Sequence, residues 1–248
     1  MTGPLARYAP WQLRDFLAER GAATLLIGAL MLVQGVIAAA EGMGPSWASG
    51  PAGGGRSRLV LATVLPVFAF VGTVTAVNGI VANDRKLGYY RFLFVKPLPV
   101  PLYYAQLYLV HGLGLMLGAA ALLALFAAAV APDGLGAALV VVGLVYVAAG
   151  GVGFLFSVVT SFDWLLLGGT WVLAYTLQDN RGVIAGSAFA PLAPLIDVLP
   201  PVERLDRAAR LLIGGVRPDL ADVLWPLAYG AGAFLLGLIL VRRRPLAA

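Results

Sequence analysis

The sequence predicts an all-helical (all-α) membrane protein, and three observations support this prediction. Of the 248 residues, 60% are apolar and only 12% are charged. The mean hydropathy is +0.90, and soluble domains are about 25% charged, so the composition excludes an ordinary soluble domain. The apolar residues also fall in uncharged runs close to the roughly 20 residues that a helix needs to cross a bilayer core. The whole chain, 1–248, is therefore predicted to form a single transmembrane domain.

Six uncharged runs suit membrane-spanning helices. They cover residues 22–40, 59–81, 105–131, 136–159, 164–177 and 223–241. The fifth run is short, and the apolar run that follows it contains Pro191, Pro194 and Asp197. Irregular backbone at membrane depth is tolerated where it is buried in protein or lines a wet cavity. These features predict six transmembrane helices with a re-entrant helical segment before the last span.

Residues 1–21 are predicted to form an interfacial N-terminal helix. Pro10 suits a first helical turn and Trp11 suits an interfacial anchor, while Leu13 and Phe16 share one side of the helix. We therefore predict an amphipathic helix on the membrane surface. The alternative is an irregular tail that happens to contain aromatic residues.

Residues 178–222 are predicted to form the re-entrant and amphipathic external segment. In 200–222 four acidic residues balance four arginines, with apolar residues between them, which is typical of an amphipathic helix. The last span is followed by Arg242, Arg243 and Arg244, a stop-transfer pattern that predicts a cytoplasmic C-terminus. With both termini inside, ten Lys/Arg residues are cytoplasmic and seven are external, a weak bias in the expected direction.

Glycines recur within the predicted spans. Gly114 and Gly118 form a G-x-x-x-G pattern in the third span, and Gly150, Gly151 and Gly153 are close together in the fourth. Small residues allow helices to approach closely in a membrane. The pattern indicates an interface between subunits or within the bundle, although glycine is also generally frequent in membrane helices.

A charged and aromatic segment, 82–104, separates the second and third spans. Its candidate partner-binding residues are Asp84, Arg85, Lys86, Gly88, Tyr89, Tyr90, Arg91, Phe92, Leu93, Lys96 and Pro97. Charges exclude this segment from the bilayer core, while its aromatic residues make it too apolar for an idle solvated linker. We predict that Gly88 interrupts a helix here and that the segment docks on a partner. The alternative is a basic loop that only orients the protein.

This segment resembles part of a known family. Asp84-Arg85 followed by Gly88, Leu93 and Pro97 is similar to the acidic-basic…Gly…Leu…Pro stretch of ABC-2-type transporter permeases, in which it forms a cytoplasmic coupling helix. The order of segments is also similar: an N-terminal amphipathic helix, six spans, and a re-entrant segment before the last. The resemblance covers nearly the full chain.

The resemblance implies a permease subunit of an ATP-driven exporter in the cytoplasmic membrane of a prokaryote, with both termini cytoplasmic. Its partners would be ABC ATPase subunits, which bind ATP and Mg, and a second permease copy or a homologous permease. Membrane lipids are expected contacts, and nucleic acid is not. The chain is not expected to be an enzyme or to hold a cofactor, since Lys86 and Lys96 are its lysines and neither stands in a P-loop motif.

Four polar residues in or near the spans are candidates for a translocation path: Gln34, Asn78, Gln106 and His111. Unpaired polar groups are costly at membrane depth and turn toward protein or water. For His111 the alternative is a hydrogen bond between helices. The chain has no cysteine and one histidine, so no metal site of Cys or His clusters is predicted.

Other function classes stay open. An ATP-independent transporter or a membrane scaffold would share the hydropathy of this chain. An intramembrane serine protease would use Ser187, which follows Gly186, but its base would have to be His111 and the G-x-S-x-G motif is absent. No catalytic residue is therefore assigned.

Overall fold

The protein is helical throughout the part that the structure describes. The computed structural model describes residues 7–41, 56–88, 99–129, 134–188 and 190–243, which contain no strand. The helices are α1 (Ala9–Phe16), α2 (Ala22–Ala40), α3 (Arg56–Val77), α4 (Ala82–Leu87), α5 (Val100–Ala129), α6 (Leu135–Val159), α7 (Asp163–Asp179), α8 (Arg181–Ala185), α9 (Ala193–Ile196), α10 (Val202–Ile213) and α11 (Leu220–Arg243). The prediction of an all-α chain is confirmed.

Five helical stretches in the described ranges are long and apolar enough to cross a membrane. They are Ala9–Ala38, Val60–Lys86, Val100–Ala128, Leu135–Val159 and Leu220–Arg243. Such a chain has the length and composition of a multi-pass membrane protein. The predicted fifth span corresponds to α7, which has 17 residues and is about 25 Å long. The layout of six spans and a re-entrant segment stays a prediction.

The N-terminal helix differs from the predicted separate surface helix. A π-helical turn, Leu17–Gly21, joins α1 to α2 without a break, so that helical structure runs from Ala9 into the first span. Two side chains of α1, Gln12 and Phe16, are buried. The Phe16 ring lies against Gly114 of α5, where an added Cβ would overlap it. The contact with α5 aligns α1 with the bundle, which a sequence pattern for one amphipathic helix cannot reveal.

Helix α3 packs antiparallel to both α2 and α5, and this packing defines two ends of the bundle. Gly28 of α2 lies against Phe68 of α3 and Leu122 of α5, and Gly72 of α3 lies against Leu115 of α5. The beginning of α5 is thus next to the end of α3 and to α4. We call this side the α4 end, and we call the opposite side, which carries α10, the α10 end.

Glycines bring α6 and α11 into backbone contact. Gly151 of α6 meets the backbone of Gly230, and Gly237 of α11 meets the Phe154 ring further along α6. These contacts show that α6 and α11 run in the same direction, and both end at the α4 end. Ala9 and Arg243, near the two ends of the described chain, therefore lie on the same side of the bundle.

The amphipathic helix predicted within 200–222 is α10. Its buried apolar residues are Val202, Leu205, Ala208, Ala209 and Ile213. Its polar side carries i,i+4 ion pairs, Arg207 with Glu203 at 2.7 Å and Arg210 with Asp206 at 2.5 Å. Arg58, at the start of α3, donates to the carbonyl oxygen of Gly214 at 3.1 Å. This contact attaches the C-terminal end of α10 to the bundle.

Candidate functional site

The turn between α3 and α4 leads into the charged and aromatic segment 82–104. Helix α3 ends at Val77, and Gly79 takes a left-handed conformation with φ of 66°. A side chain at this position would also meet Asn83. Helix α4 also ends at a left-handed glycine, Gly88, with φ of 71°, and the predicted helical turns after it lie outside the described residues. Glycine suits both positions because it adopts left-handed backbone without strain.

Two buried polar side chains hold this turn against α6 and α7. The backbone N–H of Gly79 donates to Oδ2 of Asp163 at 2.6 Å, and the N–H of Trp164 donates to Oδ1 at 3.0 Å. Ser157 Oγ accepts the N–H of Val81 at 2.9 Å. Asp163 and Ser157 are each only 1% exposed. The turn therefore obtains its hydrogen bonds from neighbouring helices.

The C-terminal end of α3 is held from the other side by α5 and by the π-helical turn. Arg20 Nη1 donates to the carbonyl oxygen of Ala76 at 2.8 Å. His111 Nδ1 lies 2.7 Å from the same oxygen and must carry the hydrogen, since a carbonyl can only accept. Such contacts satisfy carbonyl groups that a helix end leaves free, and the cationic Arg20 complements the helix dipole.

Two of the three charged side chains of α4, those of Asp84 and Arg85, are bound within the chain. Arg85 Nη1 donates to the carbonyl oxygen of Val158, at the end of α6, at 2.7 Å. Tyr104 of α5 donates its hydroxyl to Asp84 Oδ2 at 3.2 Å. Helix α4 is thereby connected to α5 and α6 through side chains that the sequence analysis assigned to partner binding.

We call this arrangement the junction. It comprises Arg20, Gly79, Asp84, Arg85, Tyr104, His111, Ser157 and Asp163. Its two arginines and two aspartates carry charges that cancel. Removing charges from water costs several kcal/mol per ion unless partners replace the solvent. Asp163 is buried, and Arg20, Asp84 and Arg85 are half-buried. Such a group of charges at one end of an apolar bundle is a functional candidate, because packing alone would favour apolar residues.

The remaining candidate partner-binding residues of the segment 82–104 divide into two sets. The side chain of Lys86 is exposed on α4. Seven residues lie outside the described ranges: Tyr89, Tyr90, Arg91, Phe92, Leu93, Lys96 and Pro97. Their assignment to partner binding stays a prediction from sequence.

The four translocation-path candidates do not form one group. Gln106 donates to Gln12 at 2.9 Å, and His111 belongs to the junction, where its ring lies 5.0 Å from that of Phe16. These two residues connect helices at the α4 end, which matches the alternative given for His111. Gln34 is exposed on α2, and Asn78 is exposed in the α3–α4 turn.

Sequence reasoning missed five junction residues: Gly79, Tyr104, Arg20, Ser157 and Asp163. The last three are polar residues at an edge of an apolar run, and that position was the available signal. Such residues are common near membrane helix ends, where they also face headgroups or water. Their partners come from helices distant in sequence, so their shared role required the fold.

An apolar cavity of about 240 Å³ lies toward the α10 end, between α3, α6, α7 and α10. Its walls include Phe70 and Trp171, whose rings stack with centroids 5.0 Å apart. Tyr175 and Asp206 also line it. A cavity of this size exceeds the roughly 150 Å³ that holds benzene, so it accommodates an apolar group.

Neither the cavity nor the junction has a metal-binding arrangement, since the described residues contain no cluster of three His, Asp or Glu suited to an ion. Comparison of the chain with family models, curated proteins and solved structures finds no match in any of the three. The resemblance to ABC-2 permeases therefore depends on the motif within 84–97 and on the order of the segments.

Proposed function

We propose that the chain is the permease subunit of an ABC-2-type transporter and moves substrate by means of ATP hydrolysis in a separate subunit. The observation that supports this best is the junction. Part-buried hydrogen bonds connect α4 to α5 and α6, and buried ones connect the turn before α4 to α6 and α7. A force applied to α4 would move these helices together, because hydrogen bonds attach both α4 and the turn before it to the bundle. A loop that only orients the chain does not require such contacts.

Within this proposal, the residues of the coupling segment have different roles. Asp84 and Arg85 position α4, since Tyr104 and the Val158 carbonyl bind them. Lys86 and the aromatic residues of 89–98 contact the ATPase subunit. The exposure of the Lys86 side chain supports its part in this division.

The apolar cavity between α3, α6, α7 and α10 supports the proposal of a substrate with an apolar part. Its stacked rings offer apolar surface, and Asp206 at its edge is already paired with Arg210. The first four predicted spans contain no Asp, Glu, Lys or Arg at membrane depth, which disfavours coupling to protons or ions. We propose export of an apolar or amphipathic molecule, with two permease copies in the complex.

The central test is purification of the chain from its native membrane with its partners. We expect a P-loop ATPase to co-purify with the wild-type chain and to be lost from Leu93→Asp, because a carboxylate would be buried in an apolar contact. Val216→Asp is the matched control, since Val216 is 52% exposed at the opposite end. Equal ATPase recovery with both variants would contradict the role of Leu93.

The orientation of the junction is tested by single-cysteine labelling, which the absence of native cysteine permits. In sealed cells, a membrane-impermeant maleimide should label Arg217→Cys but not Lys86→Cys, since the proposal places α4 in the cytoplasm. Lysed cells should label both. Labelling of Lys86→Cys from outside would exclude contact with a cytoplasmic ATPase.

Substrate movement by the purified chain without nucleotide would instead favour an ATP-independent transporter. A chain that forms no complex and moves no substrate would favour a scaffold.

A further inference from the structure

A second cavity, of about 260 Å³, lies at the α10 end and differs in chemistry from the first. Its polar lining comes from Gln178, Arg181, Asp197, Glu203 and Arg204, and the indole of Trp225 forms another wall. Gln178 shapes the cavity by donating to the Pro200 carbonyl at 2.8 Å and accepting the N–H of Glu203 at 2.9 Å. These bonds attach the start of α10 to the end of α7.

The position of this cavity suits the boundary between lipid and water. Gln178 is near the end of α7, and Trp225 is in the second turn of α11, a candidate membrane span. Tryptophan is enriched where membrane helices pass through the headgroup layer. Tyr229, one turn further along α11, donates to the Val198 carbonyl at 2.9 Å, and the Val198 side chain is 69% exposed. Val198 stands between Asp197 and Leu199, which both line the cavity, so exposed apolar surface lies beside it.

Arg204, a charged residue that lines the cavity, has no counter-ion among the described residues. Arg181 pairs with Asp197 at 2.8 Å, and Glu203 pairs with Arg207 at 2.7 Å. Arg204 makes no ion pair or hydrogen bond with any residue that the structure describes. Its guanidinium can donate to the oxygen atoms of a phosphate, for which its planar fork is well suited.

The other lining charges favour a ligand that carries both signs. The charges of Arg181 and Arg204 cancel those of Asp197 and Glu203, so the lining has no net charge to attract a simple anion. Glu203 and the face of Trp225 can accept an ammonium group, the carboxylate by charge and the indole by a cation–π contact. At roughly 30 Å³ per water-sized group, the volume suits about eight non-hydrogen atoms, as in phosphoethanolamine.

From this arrangement we infer that the cavity binds the headgroup of a zwitterionic phospholipid, with the phosphate on Arg204 and the ammonium between Glu203 and Trp225. The acyl chains extend along the exposed apolar surface beside Val198. This site depends on the chain spanning a membrane and is independent of any ATPase. The headgroup site thus assigns lipid binding to helix α10, which has no part in the proposed coupling role.

The test uses the full chain, purified with any bound subunits, stripped of lipid and titrated in native mass spectrometry. The probes are phosphatidylethanolamine, phosphatidylglycerol and inorganic phosphate. We expect the wild-type chain to bind phosphatidylethanolamine most tightly and Arg204→Ala to bind it about tenfold more weakly, since it loses a charge-assisted hydrogen bond. Arg204→Lys, which keeps the charge, should bind with intermediate affinity.

Arg217→Ala is the matched control, because it removes one exposed positive charge from the same end without altering the cavity. Its affinity for phosphatidylethanolamine should equal that of the wild-type chain. Circular dichroism should give the same helix content for all variants. Unchanged affinity in Arg204→Ala, equal weakening in Arg217→Ala, or tighter binding of phosphatidylglycerol or inorganic phosphate would each overturn the inference.

Discussion

Replacing Asp163 by alanine should lower the free energy of unfolding by about 2–3 kcal/mol, because a buried backbone donor then loses its acceptor. Asp163 is 1% exposed and accepts the N–H of Gly79 at 2.6 Å. Nothing else that the structure describes accepts this N–H. The change should also release the α3–α4 turn, so that the Gly79 amide exchanges its hydrogen faster. Unfolding in mixed micelles and hydrogen exchange measure the two effects.

Asp179→Ala is the matched control for this prediction, since Asp179 is exposed at the opposite end of α7. It should leave both measurements close to the wild-type values. Asp163→Asn should have a smaller effect, because its amide oxygen can still accept from Gly79. If Asp163→Ala unfolds like the wild-type chain and Gly79 stays protected, the junction does not hold the turn. The proposal that α4 drives the bundle would then lose its structural basis.

Replacing Gly151 by alanine should reduce stability by about 3 kcal/mol, at the upper end of the range for overpacking. An added Cβ at Gly151 would overlap the carbonyl oxygen of Gly230, so backbone would have to move on both α6 and α11. A flexible side chain could turn aside, but a carbonyl group within a helix cannot. The expected result is a poorly folded chain with low recovery from the membrane, measured by size-exclusion chromatography and thermal unfolding.

Gly232→Ala controls for the general effect of replacing a membrane glycine. Gly232 lies on α11 two residues after Gly230 and has nothing within 4 Å of an added Cβ. Alanine should be accepted there, since it favours helix more than glycine does. Equal stability of Gly151→Ala and Gly232→Ala would mean that α6 and α11 do not cross at these residues.

Several features of the fold were predictable because they depend on local sequence. Uncharged runs of sufficient length predicted helices that match α2, α3, α5, α6 and α11, with boundaries that differ by a few residues. Gly88 was predictable as a helix end because a left-handed cap favours glycine. The balanced charges of 200–222 likewise predicted the amphipathic helix α10.

The course of the N-terminal helix was not predictable in the same way. Its amphipathic pattern indicated an apolar side, but the pattern is equally suited to lipid headgroups and to another helix. The structure shows a helix partner for its buried side, since Phe16 packs into the space that Gly114 leaves on α5, while contact of its exposed side with headgroups stays a prediction. The G-x-x-x-G pattern predicted a close helix contact near Gly114, but it did not indicate which helix makes that contact.

The candidate site was predictable only in part, for a related reason. The motif within 84–97 identified a segment too polar for the bilayer and too aromatic for a simple linker. It did not show that Asp84 and Arg85 bind the chain itself, because their partners Tyr104 and Val158 lie 20 and 73 residues away and no local pattern pairs them. The same limit concealed Asp163, because its partner Gly79 lies 84 positions away in the sequence.

The sequence by itself determined that the chain is helical and apolar enough to cross a membrane repeatedly, since hydropathy and helix ends depend on residues within a few positions of one another. Tertiary structure alone decided which polar residues meet. It places the junction at the α4 end and the second, polar cavity, which Arg204 lines, at the α10 end. The physical reason is that a buried polar group requires a partner, and in this bundle the partners of Gly79, Ala76 and Arg85 belong to other helices.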